Sequence, residues 1–231
     1  MPDIDFQEYP NRSAASVAAA ELLATCVKQQ WQAEKRASMV VSGGSTPGEC
    51  FDVLSRKSLP WADVTVVPSD ERWVPATHKD SNERLIRERL LQNQACMGQV
   101  LPLFRNDLLA ADAVATIEAD LNRNALPFAC VLLGMGEDGH FASLFPDFDG
   151  LDQALNPDSS ALCVPVKTAA SPYQRMSLSL AALHQTQQTA LLIFGTAKRL
   201  VFEAALIGDT TYPVQKLLAS LSNPLTVFWA D

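Results

Sequence analysis

Short apolar runs alternate along this chain with longer stretches of helical spacing, an order that predicts β-α-β-α organisation. Residues 4–9 read as a first strand. Asn11 then offers an N-cap for a long helix with Val17, Ala20, Ala24, Val27 and Trp31 on one face. A short apolar segment at 38–41 runs into Gly43-Gly44-Ser45-Thr46-Pro47, and residues 49–54 follow as a helix. There Thr46 suits the N-cap, and Pro47 the first turn, where a missing N–H costs nothing. Residues 64–67 predict the next strand. Asp80, with Glu83 three residues on, predicts a capped helix whose apolar face spans 85–91. Asp107 opens another, striped by Ala110, Val114, Ile117 and Leu121. The unbroken apolar run at 128–133, between Pro127 and Gly134, reads as a strand buried on both faces. Residues 162–166, 176–180, 190–194 and 225–229 predict later strands, and 198–206 and 214–221 later helices. The sum is a single α/β domain over residues 1–231, with a largely parallel sheet covered by helices on both faces.

Composition narrows the function. The 231 residues are 48% hydrophobic and 19% charged, enough apolar material for a sizeable core. A net charge of −8 disfavours nucleic acid as a partner, since duplex binding needs a basic field. No stretch approaches about 18 apolar residues and Met1-Pro2-Asp3-Ile4-Asp5 lacks a positive leader segment, so neither a membrane nor an export signal is expected. The five cysteines are odd in number and widely spaced, which predicts buried, reduced thiols and a cytoplasmic protein. Three histidines without HExxH make a histidine-rich metal site unexpected. Oligomeric state is not legible.

The chemistry lies in four polar motifs. Ser42-Gly43-Gly44-Ser45-Thr46-Pro47, Ser69-Asp70-Glu71-Arg72, Gly134-Met135-Gly136-Glu137-Asp138-Gly139-His140 and Gly195-Thr196-Ala197-Lys198 each follow a predicted strand. In a parallel sheet all four lie at strand carboxyl ends, the edge where open α/β sheets bind ligands. Gly43 and Gly44 can present backbone N–H groups to an anion, with Ser45 and Thr46 adding hydroxyls. The loop is neither a Walker A sequence nor GxGxxG. It approaches the nucleophile elbow GxSxG until Pro47 replaces the last glycine, which argues against Ser45 as nucleophile. Arg72, Arg175 and Lys198 are the cations an acidic protein would gather around an anion, although Lys198 taken alone reads rather as a solvated first-turn lysine and Arg175 as a simply exposed charge. Arg72 could also simply pair with Asp70 or Glu71. His140, in a loop of three glycines with Asp138 two residues away, is the candidate general base. A histidine's ordinary pKa of about 6.5 suits that work near neutral pH.

These motifs, with Ser-Asp-Glu-Arg-Trp-Val-Pro followed by His78-Lys79-Asp80-Ser81-Asn82 and the block ending Ser143-Leu144-Phe145-Pro146, resemble the glucosamine-6-phosphate isomerase/6-phosphogluconolactonase family in its lactonase branch. The resemblance spans most of the chain, from Ser42 to Lys198. It implies a Rossmann-like fold shared with sugar-phosphate deaminases and isomerases, with the site at strand carboxyl ends. It also implies hydrolysis of a phosphorylated sugar lactone, the only partner expected, without metal or organic cofactor. His140 would then be the base, Asp138 its orienting partner and Arg72 the stabiliser of the oxyanion. Gly43, Gly44, Ser45, Thr46, Asp70, Arg175 and Lys198 would bind substrate and its phosphate. Phe141 stands where the family usually carries threonine, which predicts one altered pocket contact. A deaminase or isomerase would want a carboxylate where Ser143-Leu144-Phe145 stand, and a silent sugar-phosphate sensor would not need Asp138 and His140.

Overall fold

The apolar run at 128–133 lies at the centre of the computed structural model, which describes residues 4–169 and 171–231. Its core, β6 (Cys130–Leu133), is buried throughout and flanked by β2 (Ala37–Val41) and β9 (Thr189–Phe194). Outward from these stand β3 (Val64–Pro68) and β5 (Gln99–Val100) on one side. On the other stand β10 (Leu225–Ala230) and β1 (Ile4–Glu8). The order is β1-β10-β9-β6-β2-β3-β5, and every pair is parallel.

Alternate side chains of each strand leave the sheet on opposite faces, so the sheet divides two cores. Val40, Val131, Leu133, Leu191 and Val227 face one core. It is closed by α4 (Ala110–Asn124), α7 (Thr196–Leu206) and α8 (Pro213–Ser220). Met39, Val41, Cys130, Leu132, Leu192 and Phe228 face the other, beneath α1 (Arg12–Glu34) and α2 (Gly48–Leu54).

The long first helix forms as expected, with Asn11 Oδ1 accepting the Ala14 N–H at 2.9 Å. Its buried face is rotated from the predicted stripe. Ala20, Ala24 and Val27 are buried as expected, but Val17 is 40% exposed and Trp31 only half-buried, while Ala15, Ala19, Leu23 and Gln30 turn inward. An alanine-rich helix has little apolar contrast around its circumference, so a polar contact sets its rotation. Gln30 donates to the Pro127 carbonyl at 2.8 Å and accepts the Ser38 N–H at 3.0 Å, tying the helix to the sheet.

Three other boundaries differ from expectation. The N-cap position of α2 is Pro47 and no side chain caps it, so Thr46 does not. Asp107 takes a left-handed conformation (φ 63°), and α4 starts three residues later at Ala110. Residues 162–166 and 176–180 do not join the parallel sheet. Instead β4 (Asp70–Arg72), β7 (Cys163–Val166) and β8 (Arg175–Leu178) make a separate antiparallel sheet, in the order β4-β8-β7.

Four cysteines are buried and Cys96 is exposed, with every one a free thiol. Burial pushes the Cys50 and Cys163 thiols up to about 12. Among the described residues no helix is long and apolar enough to cross a membrane. Met1-Pro2-Asp3, where an export leader would begin, lies outside the described residues.

Candidate active site

The strands β9, β6, β2 and β3 are consecutive neighbours in the sheet, so the four motifs that follow them meet at one edge. They enclose a cavity of about 260 Å³. Gly43, Gly44, Ser45, Thr46, Asp70, Arg72, His140, Arg175 and Lys198 all line it, joined by Asn82, Ser42 and Ala142. Asp138, the remaining sequence-predicted residue, stands behind His140.

The His140 loop is shaped by its glycines. Asp138 Oδ1 lies 2.6 Å from His140 Nδ1 and accepts the His140 backbone N–H at 3.2 Å. A Cβ on Gly136 would sit 2.3 Å from His140 Nδ1 and 2.4 Å from Asp138 Oδ1, so the pair packs directly on bare backbone. Gly139 has φ +75° and presses against Tyr212, while its carbonyl accepts the Val214 N–H at 3.0 Å. The imidazole lies on the Phe145 ring, with centroids 4.3 Å apart. With Nδ1 facing the Asp138 carboxylate, the ring donates there and leaves Nε2 as the acceptor. Among the described residues no hydrogen bond joins His140 to Ser45, as a serine nucleophile would require.

The small antiparallel sheet delivers the arginines. Arg72 of β4 and Arg175 of β8 stand directly opposite in register. Like charges placed this way repel, an arrangement that suits a site for an anion. Arg175 is held by Ser171 Oγ at 3.2 Å, Ser143 Oγ at 3.4 Å and the Phe145 ring at 5.1 Å. Asp70 is its counter-ion, 3.8 Å away. The Asp70 carboxylate also accepts from Ser69 at 2.8 Å and from Ser143 at 2.5 Å. Asp70 thus borders the cavity and also faces Arg175.

Arg72 pairs with neither Asp70 nor Glu71. Its Nη1 donates to the Asp80 carbonyl at 2.6 Å, and among the described residues its buried Nε has no partner. Burial lowers the Arg175 pKa, with Arg72 adding to the effect and Asp70 opposing it. Burial likewise lowers the Lys198 pKa, against the pull of Glu137. Three cations at one cavity, two of them short of solvation, would be relieved by a multiply charged anion.

Glu71 does different work. Its fully buried carboxylate accepts the backbone N–H groups of Arg72 (2.8 Å), Asn82 (2.7 Å) and Glu83 (2.7 Å) and the Ser81 hydroxyl (3.0 Å). Burial raises its pKa against those bonds. It thereby anchors α3 (Asn82–Leu85), whose N-cap is Ser81 and not Asp80. This anchor sets Asn82, which sequence reasoning missed although it ends a quoted motif. Asn82 Nδ2 donates to the Asp70 carbonyl at 2.8 Å, and its amide lies where a Gly43 Cβ would have to be. Glu71→Ala should orphan three backbone donors and cost about 2–4 kcal/mol of stability. Urea unfolding checks this, and an unchanged midpoint would contradict it.

Phe141 does not enter the pocket. It is fully buried in the core, and Ala142 borders the cavity instead. Ser143 and Leu144 are also buried, Phe145 supports His140, and none of the three is a carboxylate.

The model of the family described as glucosamine-6-phosphate isomerases/6-phosphogluconolactonase matches residues 10–228. The chain belongs to this family. A 6-phosphogluconolactonase of Caulobacter vibrioides is 36% identical, over 99% of this chain and 98% of its own. The crystal structure of a 6-phosphogluconolactonase from Shewanella baltica superposes with a TM-score of 0.94 at 37% identity, covering 99% and 98% of the two chains. A monomeric glucosamine-6-phosphate deaminase, 17% identical with a TM-score of 0.78 over 98% and 97%, shares the fold. Ser143 donates to Asp70, Leu144 is buried in the core and Phe145 lies against His140.

Proposed function

We propose that this chain hydrolyses 6-phospho-D-glucono-1,5-lactone to 6-phospho-D-gluconate, in the cytoplasm, as a step of the oxidative pentose phosphate pathway. The observation that carries this reading is the His140–Asp138 pair, 2.6 Å apart, at a cavity ringed by Arg72, Arg175 and Lys198. The relatives named 6-phosphogluconolactonase over nearly the whole chain support it.

A δ-lactone is an activated ester, so a positioned base and an anion stabiliser are sufficient machinery. His140 Nε2 removes a proton from water, and the hydroxide attacks C1. Asp138 holds the imidazole in the tautomer that leaves Nε2 free and offsets the charge it gains. Arg72 takes the developing oxyanion. Collapse breaks the bond from C1 to the ring oxygen, which recovers the proton from His140. The products are a C1 carboxylate and a free hydroxyl, with one proton released to solvent. Lys198, Arg175 and the Gly43-Gly44-Ser45-Thr46 turn hold the 6-phosphate, whose binding energy orients the lactone.

Lys198→Ala should raise KM with kcat little changed, since a phosphate anchor acts in ground and transition states alike. The lowered Lys198 pKa adds a pH signature. As pH rises through that value the ammonium is lost, so affinity for 6-phosphogluconate should weaken at a lower pH than an ordinary lysine would require. Titration calorimetry on wild type and Lys198→Arg checks this, and identical alkaline profiles would contradict it.

Supplied with 6-phosphogluconolactone, the protein should release protons faster than buffer alone. With glucosamine-6-phosphate it should release no ammonia. Ammonia release would transfer the reading to the deaminase branch.

A further inference from the structure

We infer that Tyr173 is a positioning residue for Arg72, acting through Asp80. The inference rests on the lactonase reading and adds to it a residue outside the cavity. Arg72 needs a support because of where it stands. Arg175 faces it across the strand pair, so the two guanidinium groups repel, and Arg175 has the better anchorage. Among the described residues the Arg72 guanidinium makes a single hydrogen bond, from Nη1 to the Asp80 carbonyl at 2.6 Å. The aim of Arg72 therefore follows the position of the turn carrying Asp80.

That turn is tied from the far side. The Tyr173 hydroxyl donates to Asp80 Oδ2 at 2.8 Å. The Tyr173 ring meets the His78 ring edge-on, with centroids 5.6 Å apart, and His78 Nδ1 accepts the Asp80 N–H at 3.2 Å. Tyr173 lies two residues before Arg175, and the Trp73 N–H donates to the Gln174 carbonyl at 2.7 Å. The chain that presents Arg175 thus also holds the turn that holds Arg72, and the hydroxyl of Tyr173 is the link. This side-chain bridge fixes the spacing of two cations that would otherwise move apart.

Tyr173→Phe removes the hydroxyl and keeps the ring against His78. We expect kcat for the lactone to fall about tenfold, the scale on which a small misplacement of a positioned group acts, with KM within about twofold and Tm unchanged. In an Arg72→Ala background the same substitution should have no further effect. Asp80→Asn, which keeps an acceptor for the hydroxyl, should lie closer to wild type than Asp80→Ala. The inference is overturned if Tyr173→Phe turns over like wild type. It is overturned equally if the loss appears in KM, through Arg175, or persists without Arg72. Absence of turnover by the wild type would instead defeat the lactonase reading, and the two failures are distinct.

Discussion

His140→Ala is expected to lower kcat by about 10²- to 10⁴-fold, the range of a positioned general base, with KM nearly unchanged. The imidazole borders the cavity, is braced by Phe145 and is oriented by Asp138 through Nδ1. The groups proposed to bind the phosphate, by contrast, lie on other elements: α7 carries Lys198, β8 carries Arg175, and the loop after β2 carries the glycines. Removing the imidazole leaves those anchors intact, so the loss belongs in the chemical step. Asp138→Asn tests the orientation, because an amide cannot hold the imidazole as a carboxylate does, and its kcat should fall in the same direction. Steady-state kinetics on both variants check this, and a wild-type kcat in His140→Ala would remove His140 from the reaction.

The second large effect comes from a residue with no functional group. Gly136→Ala should lower kcat about 10²-fold while the protein stays folded. The new methyl group would fall 2.3 Å from His140 Nδ1 and 2.4 Å from Asp138 Oδ1, a separation that no packed atoms tolerate. One or both side chains must then leave their present positions. The loop lies at the cavity, beyond the carboxyl end of β6, so its displacement need not disturb either core. Retention of the wild-type melting temperature with loss of turnover would therefore separate the two roles. Wild-type turnover would mean that the His140–Asp138 pair is dispensable.

Much of this site is legible before any folding, because parallel α/β sheets obey a simple rule of polarity. The strands at 37–41, 130–133 and 189–194 announce themselves as apolar runs, and parallel pairing brings the segments after them to one edge. Nothing comparable announces β4. Asp70-Glu71-Arg72 is short and wholly polar, and it becomes a strand only because β8 arrives to pair with it. The same non-local logic explains Asp80. It has the residue type and spacing of a cap, yet the buried carboxylate of Glu71 draws the helix start to Ser81 and Asn82. Asp70 lines the cavity as its type suggests, but its partners at Oδ2, Ser143 and Arg175, are distant in the chain and could not be read from the local pattern. In α1 the failure is of contrast, since alanines on every side leave the buried face to be chosen by Gln30. Local pattern thus specifies the layers and the edge, and pairing between distant segments decides which polar groups face the cavity.

A coupled assay decides whether this cavity catalyses lactone hydrolysis. Glucose-6-phosphate dehydrogenase generates the lactone in place, and 6-phosphogluconate dehydrogenase reports the product. The expected result is a product rate above the spontaneous one that grows in proportion to the protein added. A rate no different from the spontaneous one, while 6-phosphogluconate still raises the melting temperature, would mean that the cavity binds sugar phosphates without hydrolysing the lactone, and would contradict the proposed function.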